Sequence, residues 1–230
     1  MDLSPIEYLD RAVYLPTVET LIVADLHVGR AATSDVELPM GEKSDLLDRL
    51  RALVETVEPE RVVVAGDVLH SFSSVPYGVP DTLSTIETTI VESGTELVLI
   101  AGNHDTILPD VVEVAIEDSV ELEDGTVVHH GHELPEVEAP RYVIGHEHPA
   151  IVIEGDRHPC FLEGMGQWNG AKVVVLPAFS RFAKGTVINT METADVMSPL
   201  LSDLDACRPV VRSSDKSLSF PPLGEIRSLL

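Results

Sequence analysis

The sequence predicts an α/β protein, with a parallel sheet built by βαβ crossovers in the first half and a second, mixed or antiparallel sheet packed on it. Three observations lead there. Short, continuous apolar runs rich in β-branched residues recur along the chain and read as strands buried on both faces. Two segments of helical periodicity separate the first three runs, the order that gives right-handed crossovers. Beyond residue 118, short strands alternate with turn dipeptides instead.

The first run is Leu21-Ile22-Val23-Ala24. A helix is expected over 43–57, where Leu46, Leu47, Leu50, Leu53 and Val54 share one face. The run Val62-Val63-Val64-Ala65 follows, then a helix over 81–93 with Asp81 as its cap and Gly94 as its stop. Leu97-Val98-Leu99-Ile100-Ala101 completes the parallel set. Hairpins are expected over 121–128 around Asp124-Gly125 and over 151–162 around Gly155-Asp156, with Tyr142-Val143-Ile144 between them. Strands at 173–176 and 186–188 come next. In the tail, 199–204 and 224–229 suggest short helices and 209–212 an edge strand. Residues 1–230 read as a single domain, with about 191–230 an extension packed on it.

Composition narrows the class. A hydrophobic fraction of 44% with 23% charged residues fits a chain that buries a core. No apolar run approaches the roughly 20 residues that cross a bilayer, and the first residues lack the pattern of a secretory signal, so a cytoplasmic protein without a membrane partner is expected. Cys160 and Cys207 are too few for a disulfide framework and do not form a CxxC site. Fifteen basic residues against thirty-nine acidic ones give a net charge of −24, spread along the chain rather than gathered in a tail. Such a surface repels itself in dilute buffer and points to a salt-rich cytoplasm. The charge argues mildly against tight electrostatic binding of nucleic acid, mildly because at about 1 M salt the Debye length is only about 3 Å.

Each apolar run stops abruptly at a polar cluster: Asp25-Leu26-His27, Gly66-Asp67, Gly102-Asn103-His104-Asp105, His129-His130-Gly131-His132 and Gly145-His146-Glu147-His148. Taken alone, each has an ordinary reading as a cap, a turn or a solvated loop. Together with His70, three residues after Asp67, they hold eight of the nine histidines, and a parallel sheet brings the carboxyl ends of its strands to one edge, where ligands bind. Imidazole, carboxylate and amide donors without thiolate suit Mn, Fe or Zn. The donors exceed one tetrahedral zinc and match two divalent ions about 3.5–4 Å apart sharing a carboxylate, an arrangement used for in-line displacement at phosphorus.

In this order and spacing, DLH, GDxxH, GNHD, HG and GHxH resemble the calcineurin-like metallophosphoesterase superfamily. The resemblance implies a four-layer sandwich of two packed mixed β-sheets flanked by helices. It implies two divalent metal ions, expected to be Mn with Fe or Zn as alternatives: Asp25, His27 and His148 hold one, Asn103, His130 and His146 hold the other, and Asp67 bridges them. His104 is then the general acid that protonates the leaving oxygen, His70 its partner, and Asp105 the residue that orients the GNHD turn. His129 and His132 become supporting residues, and Arg30 and Arg181 either contact substrate phosphate or are simply exposed.

His70-Ser71-Phe72 departs from the Asp-Arg-Gly of Ser/Thr phosphatases. Gly145-His146-Glu147-His148-Pro149-Ala150, Leu176-Pro177-Ala178-Phe179-Ser180, Gly185 and the Pro199-Leu200-Leu201 and Pro222-Leu223-Gly224 stretches are similar to the small SbcD-related phosphoesterases of archaea and their DNA-ligase-associated bacterial counterparts. Arg181-Phe182-Ala183-Lys184 differs from the Thr-Gly-Gly common in the bacterial group. The expectation is a phosphodiesterase or nuclease-like hydrolase of nucleotide or nucleic-acid phosphodiesters, with a DNA-repair protein as partner. A 2′,3′-cyclic nucleotide phosphodiesterase and a non-catalytic metal-binding scaffold are the alternatives.

Overall fold

The computed structural model describes residues 3–30, 41–71, 75–213 and 216–230; Phe72 of the sequence comparison lies outside them. The β-branched runs build two sheets. The first holds β1 (Glu7–Tyr8), β2 (Val13–Leu15), β3 (Thr20–Val23), β4 (Arg61–Ala65), β5 (Glu96–Ile100) and β6 (Ile116–Glu117), side by side in chain order. From β3 to β6 all neighbours are parallel, and β1 and β2 add antiparallel on the outside. The crossovers are α1 (Glu42–Val57) and α2 (Val79–Val91). The helix expected from Asp81 begins two residues earlier, after Gly78. Pro80 explains the shift, because a ring without an N–H fits the first helical turn. Asp81 falls inside that turn, where its charge still complements the helix dipole.

The second sheet contains β7 (Ser119–Glu121), β8 (Thr126–His129), β9 (Arg141–Ile144), β10 (Pro149–Ile153), β11 (Asp156–Gly164), β12 (Lys172–Val175), β13 (Thr186–Val187), β14 (Arg208–Ser213) and β15 (Lys216–Ser219). Its order is β13-β10-β11-β12-β9-β8-β7, with β14 on β11 and β15 on β14. The β8, β9 and β12 neighbours are parallel and the hairpins antiparallel, so the sheet is mixed. The second hairpin turns on Glu154-Gly155, one residue before the expected pair, with φ of 52° and 90° as its tight turn requires. The expected edge strand at 209–212 is covered on both sides, because the polar, exposed β15 adds outside it. No helix forms over 199–204; Leu200, Leu201 and Leu204 pack there from a turn. The second tail helix, α3, spans Leu223–Ile226.

Alternation of the valines sorts the layers. Val62 and Val64 of β4 pack under α1 and α2 with Leu46, Leu50 and Ile86. Val63 and Ala65 point the other way and meet Val143, Val174 and Phe161 of the second sheet. That sheet's outer face, with Tyr142, Ile144, Val173 and Val175, is covered by Leu200, Leu204, Leu223 and Ile226 of the tail. The result is the expected sandwich of two mixed sheets flanked by helices. An ion pair is built into it: the guanidinium of Arg141 donates to Asp124 at 2.7 Å, and that carboxylate also accepts from the backbone N–H of Ser4 and Thr126. Among the described residues no helix is long and apolar enough to cross a membrane.

Candidate metal centre

The loops after β3 and β4 stay zipped together beyond the strands. Asp25 N–H donates to Gly66 O, His27 N–H to Asp67 O and Val28 N–H to Val68 O. Leu26 and Val28 go into the core under the helices, while Asp25, His27 and Asp67 hold φ of 58°, 47° and 50°. His146 and His148 share that left-handed conformation, at 68° and 47°. Among the described residues ten non-glycine positions have positive φ, and five of them are these candidate ligands. Each costs on the order of 1–3 kcal/mol, and such strain gathers where a site demands it.

Glycines let the ligands close in. A Cβ at Gly66, whose φ is +79°, would overlap the His130 imidazole, and one at Gly102 would overlap the backbone nitrogen and carboxylate of Asp67. From the far side, Asp105 accepts the N–H groups of Val68, Leu69 and Gly102 at 2.8–3.1 Å, tying the GNHD turn to the GD loop.

All seven candidate ligands come together. Asp25, His27, Asp67 and His148 present ligand atoms within 4.8 Å of one another. The Nε2 atoms of His27 and His148 lie 3.3 Å apart, and His148 Nε2 lies 3.1 Å from Asp25 Oδ1. On the other side, His130 Nε2 lies 3.1 Å from Asn103 Oδ1 and 3.4 Å from Asp67 Oδ1. His146 stands edge-on to His130, ring centroids 5.0 Å apart, and its N–H donates to both oxygens of Asp25 at 3.2 Å. Asp67 therefore faces both groups: Oδ1 toward His130, and Oδ2 toward His27 at 3.8 Å.

Protonation decides what these donors want. His130 Nδ1 lies 3.0 Å from Ala65 O, which can only accept, so Nδ1 carries the proton and Nε2 a lone pair. Burial lowers His130 to about 4, His146 to about 4 and His27 to about 3, so all three are neutral at physiological pH. The His130 lone pair then points at the Asn103 amide oxygen, an acceptor with no proton to share. Burial and the neighbouring Asp25 push Asp67 up to about 8. Burial opposes charge on Asp25 as well, yet His148 and the other imidazoles hold its carboxyl below the usual range. Facing acceptors and an under-compensated carboxylate fit divalent cations, and the nitrogen and oxygen donor set fits Mn, Fe or Zn.

His104 sits at the rim, its side chain 22% exposed where that of Asp67 is 3%. Its Nδ1 lies 2.9 Å from the carbonyl oxygen of His70, and its Nε2 lies 3.8 Å from Asp67 Oδ2. The contact between His70 and His104 is thus made by the His70 backbone, while the two rings lie stacked with centroids 6.0 Å apart. His129 accepts the Gly131 N–H, and His132 packs near His130 and His146. Arg181 is held in ion pairs with Asp10 and Asp45 at 3.3 and 3.1 Å. Arg30 lies near enough that its charge adds to burial in lowering His27 and His70. A groove of about 620 Å³ beside α2 lies apart from these residues and carries Asp81, Glu87, Glu92 and Glu113, a lining that repels phosphate.

Two supports were not read from the sequence. Arg49 of α1 is buried, stacks 4.0 Å over the Phe179 ring and donates to Phe179 O, while Arg11 donates to Ala178 O and Ser180 O. The strap so held donates from Phe179 N–H to Ala24 O and from Ser180 N–H to Asp25 O. An arginine on the helix face shared by Leu46, Leu50 and Leu53 was the available signal. The other is Glu147, buried between two candidate ligands.

Two mixed sheets in a sandwich, with these donors gathered at the strand ends, define a metal-dependent hydrolase. The family model described as calcineurin-like phosphoesterase matches residues 19–148, and the chain belongs to that family. The crystal structure of Pseudomonas putida nuclease MPE is similar over 92% of this chain and 94% of that one, with a TM-score of 0.63 and 26% sequence identity. Yfce, a phosphoesterase from E. coli, matches over 90% and 93% with a TM-score of 0.45 and 15% identity. Among curated proteins none matches the chain in sequence.

Proposed function

We propose that the chain hydrolyses phosphodiesters of nucleotides or nucleic acids with two divalent ions, Asp25, His27 and His148 holding one, Asn103, His130 and His146 the other, and Asp67 both. The observation that carries this is the placement of the two Asp67 oxygens toward the two donor groups, with His104 on the open rim. Bound there, the ions supply Lewis acidity toward phosphoryl oxygens and activate a water. With Nδ1–H donated to His70 O, His104 gains and loses its proton at Nε2, the atom facing the centre, and protonates the leaving oxygen from there. Arg30, whose charge reaches His27, His70 and His148, supplies positive charge toward a phosphate. Similarity to a nuclease supports a diester substrate, and the Leu176-Pro177-Ala178-Phe179-Ser180 sequence supports kinship with the SbcD-related group, from which a DNA-repair partner is proposed.

The experiment compares bis-p-nitrophenyl phosphate with the p-nitrophenyl monoester in Mn²⁺ and molar KCl, alongside single-stranded DNA and 2′,3′-cyclic mononucleotides. Diester hydrolysis abolished by chelation is expected. Activity confined to cyclic mononucleotides moves the substrate to small nucleotides. Silence on every substrate with metal bound makes the chain a scaffold.

A further inference from the structure

Glu147 stands between His146 and His148, yet its side chain reaches into the C-terminal segment. Its Oε1 accepts the N–H of Met197 at 2.8 Å and of Ser198 at 2.5 Å, and the residue is 3% exposed. We infer that Glu147 is a positioning residue through which the C-terminal segment fixes the turn carrying His146 and His148. The inference rests on the metal-centre reading above and extends it to residues beyond the family match, which ends at 148.

The two flanking histidines hold left-handed φ, a conformation that persists only where the surroundings over-determine it. The restraints on this turn are the His146 N–H on Asp25, Glu147 N–H on Gly145 O, Thr186 N–H on His148 O, and the Glu147 carboxylate on the tail. The Glu147 N–H bond lies within the turn, the His146 and His148 bonds tie the backbone to the loop after β3 and to β13, and the Glu147 carboxylate is the restraint among these that reaches the C-terminal tail. A tether positions only if its far end is fixed, and this one is. Ser198, Leu200, Leu201 and Leu204 are buried, and the Gln167 side chain accepts the N–H of Ser202 and Asp203 at 2.9 Å. Both N–H groups end on one buried oxygen, which gives the Glu147 side chain a single seat on the tail.

The test uses Mn²⁺ as probe, with binding measured by equilibrium dialysis on wild type, Glu147→Ala and Glu147→Gln. Glu147→Ala is expected to bind about 10- to 100-fold more weakly, the loss typical of outer-shell partners. Glu147→Gln keeps an oxygen for both N–H groups and is expected to bind close to wild type. Coupling is reciprocal, so in wild type Mn²⁺ must also slow amide exchange over residues 196–200, and by more than over β14. That measurement decides the matter by itself if Glu147→Ala does not fold. Wild-type affinity in Glu147→Ala, or exchange over 196–200 indifferent to Mn²⁺, overturns the inference alone. A wild type that binds no Mn²⁺ overturns the metal-centre reading and this inference with it.

Discussion

At Asp67 one carboxylate faces two sets of donors, and its raised pKa follows from burial beside Asp25. A cation entering there has to displace a proton. His27, His130 and His146 are already neutral and add no pH dependence near neutrality. His148 adds to it: burial would lower it, but Asp25 outweighs burial and holds it above the usual imidazole value. Mn²⁺ affinity should therefore rise from about pH 6 to about pH 8 and flatten above, with proton release measurable by titration calorimetry in buffers of different ionisation heat. Affinity that is flat or falls over that range contradicts the assignment. His104 sits on the rim outside the seven proposed ligands, so His104→Ala should keep Mn²⁺ and lose about 10²–10⁴-fold in kcat on a dinucleotide, whose leaving alkoxide needs a proton. The loss should be smaller on bis-p-nitrophenyl phosphate, because nitrophenolate leaves without help.

The elements that carry the ligands were the legible part of the chain. β3 and β4 are buried on both faces and β5 nearly so, which the sequence writes as unbroken apolar runs, and α1 writes its buried face at helical spacing. The polar clusters were legible because the carboxyl ends of parallel strands share an edge. What escaped depends on contacts between distant positions. Glu147 with Ser198 and Arg49 with Phe179 leave no local periodicity, and β15 has no buried side chain to mark it. Asp81 failed as a cap because Pro80 took the first turn. Joining elements by buried charge has a cost that can be measured. Asp124→Ala strands the Arg141 guanidinium inside the protein and should lower unfolding free energy by about 3–5 kcal/mol in urea at neutral pH. Burial opposes charge on Asp124, but the Ser4 and Thr126 N–H groups and Arg141 hold its folded pKa below the usual carboxylate range. Its contribution is therefore complete above the unfolded value and fades as pH falls through the depressed folded one, so the gap between variant and wild type should close in acid. A gap that persists there removes the ion pair as its cause.

Across the whole molecule, −24 of net charge surrounds a site that has to admit a phosphate. Several of the few cations are already spent on ion pairs: buried Arg141 on Asp124, buried Arg49 and exposed Arg181 on Asp10 and Asp45, Lys172 on Glu163. Screening by salt then serves both stability and approach of an anion. The thermal midpoint should rise from dilute buffer to molar KCl, and an unchanged midpoint would remove salt adaptation from the interpretation. The most direct measurement is anomalous diffraction from crystals soaked in Mn²⁺. Two peaks are expected, one among Asp25, His27 and His148 and one among Asn103, His130 and His146, with the Asp67 carboxylate between them. Soaked crystals with no peak there, or with one peak that Asp67 does not touch, would contradict the two-ion site.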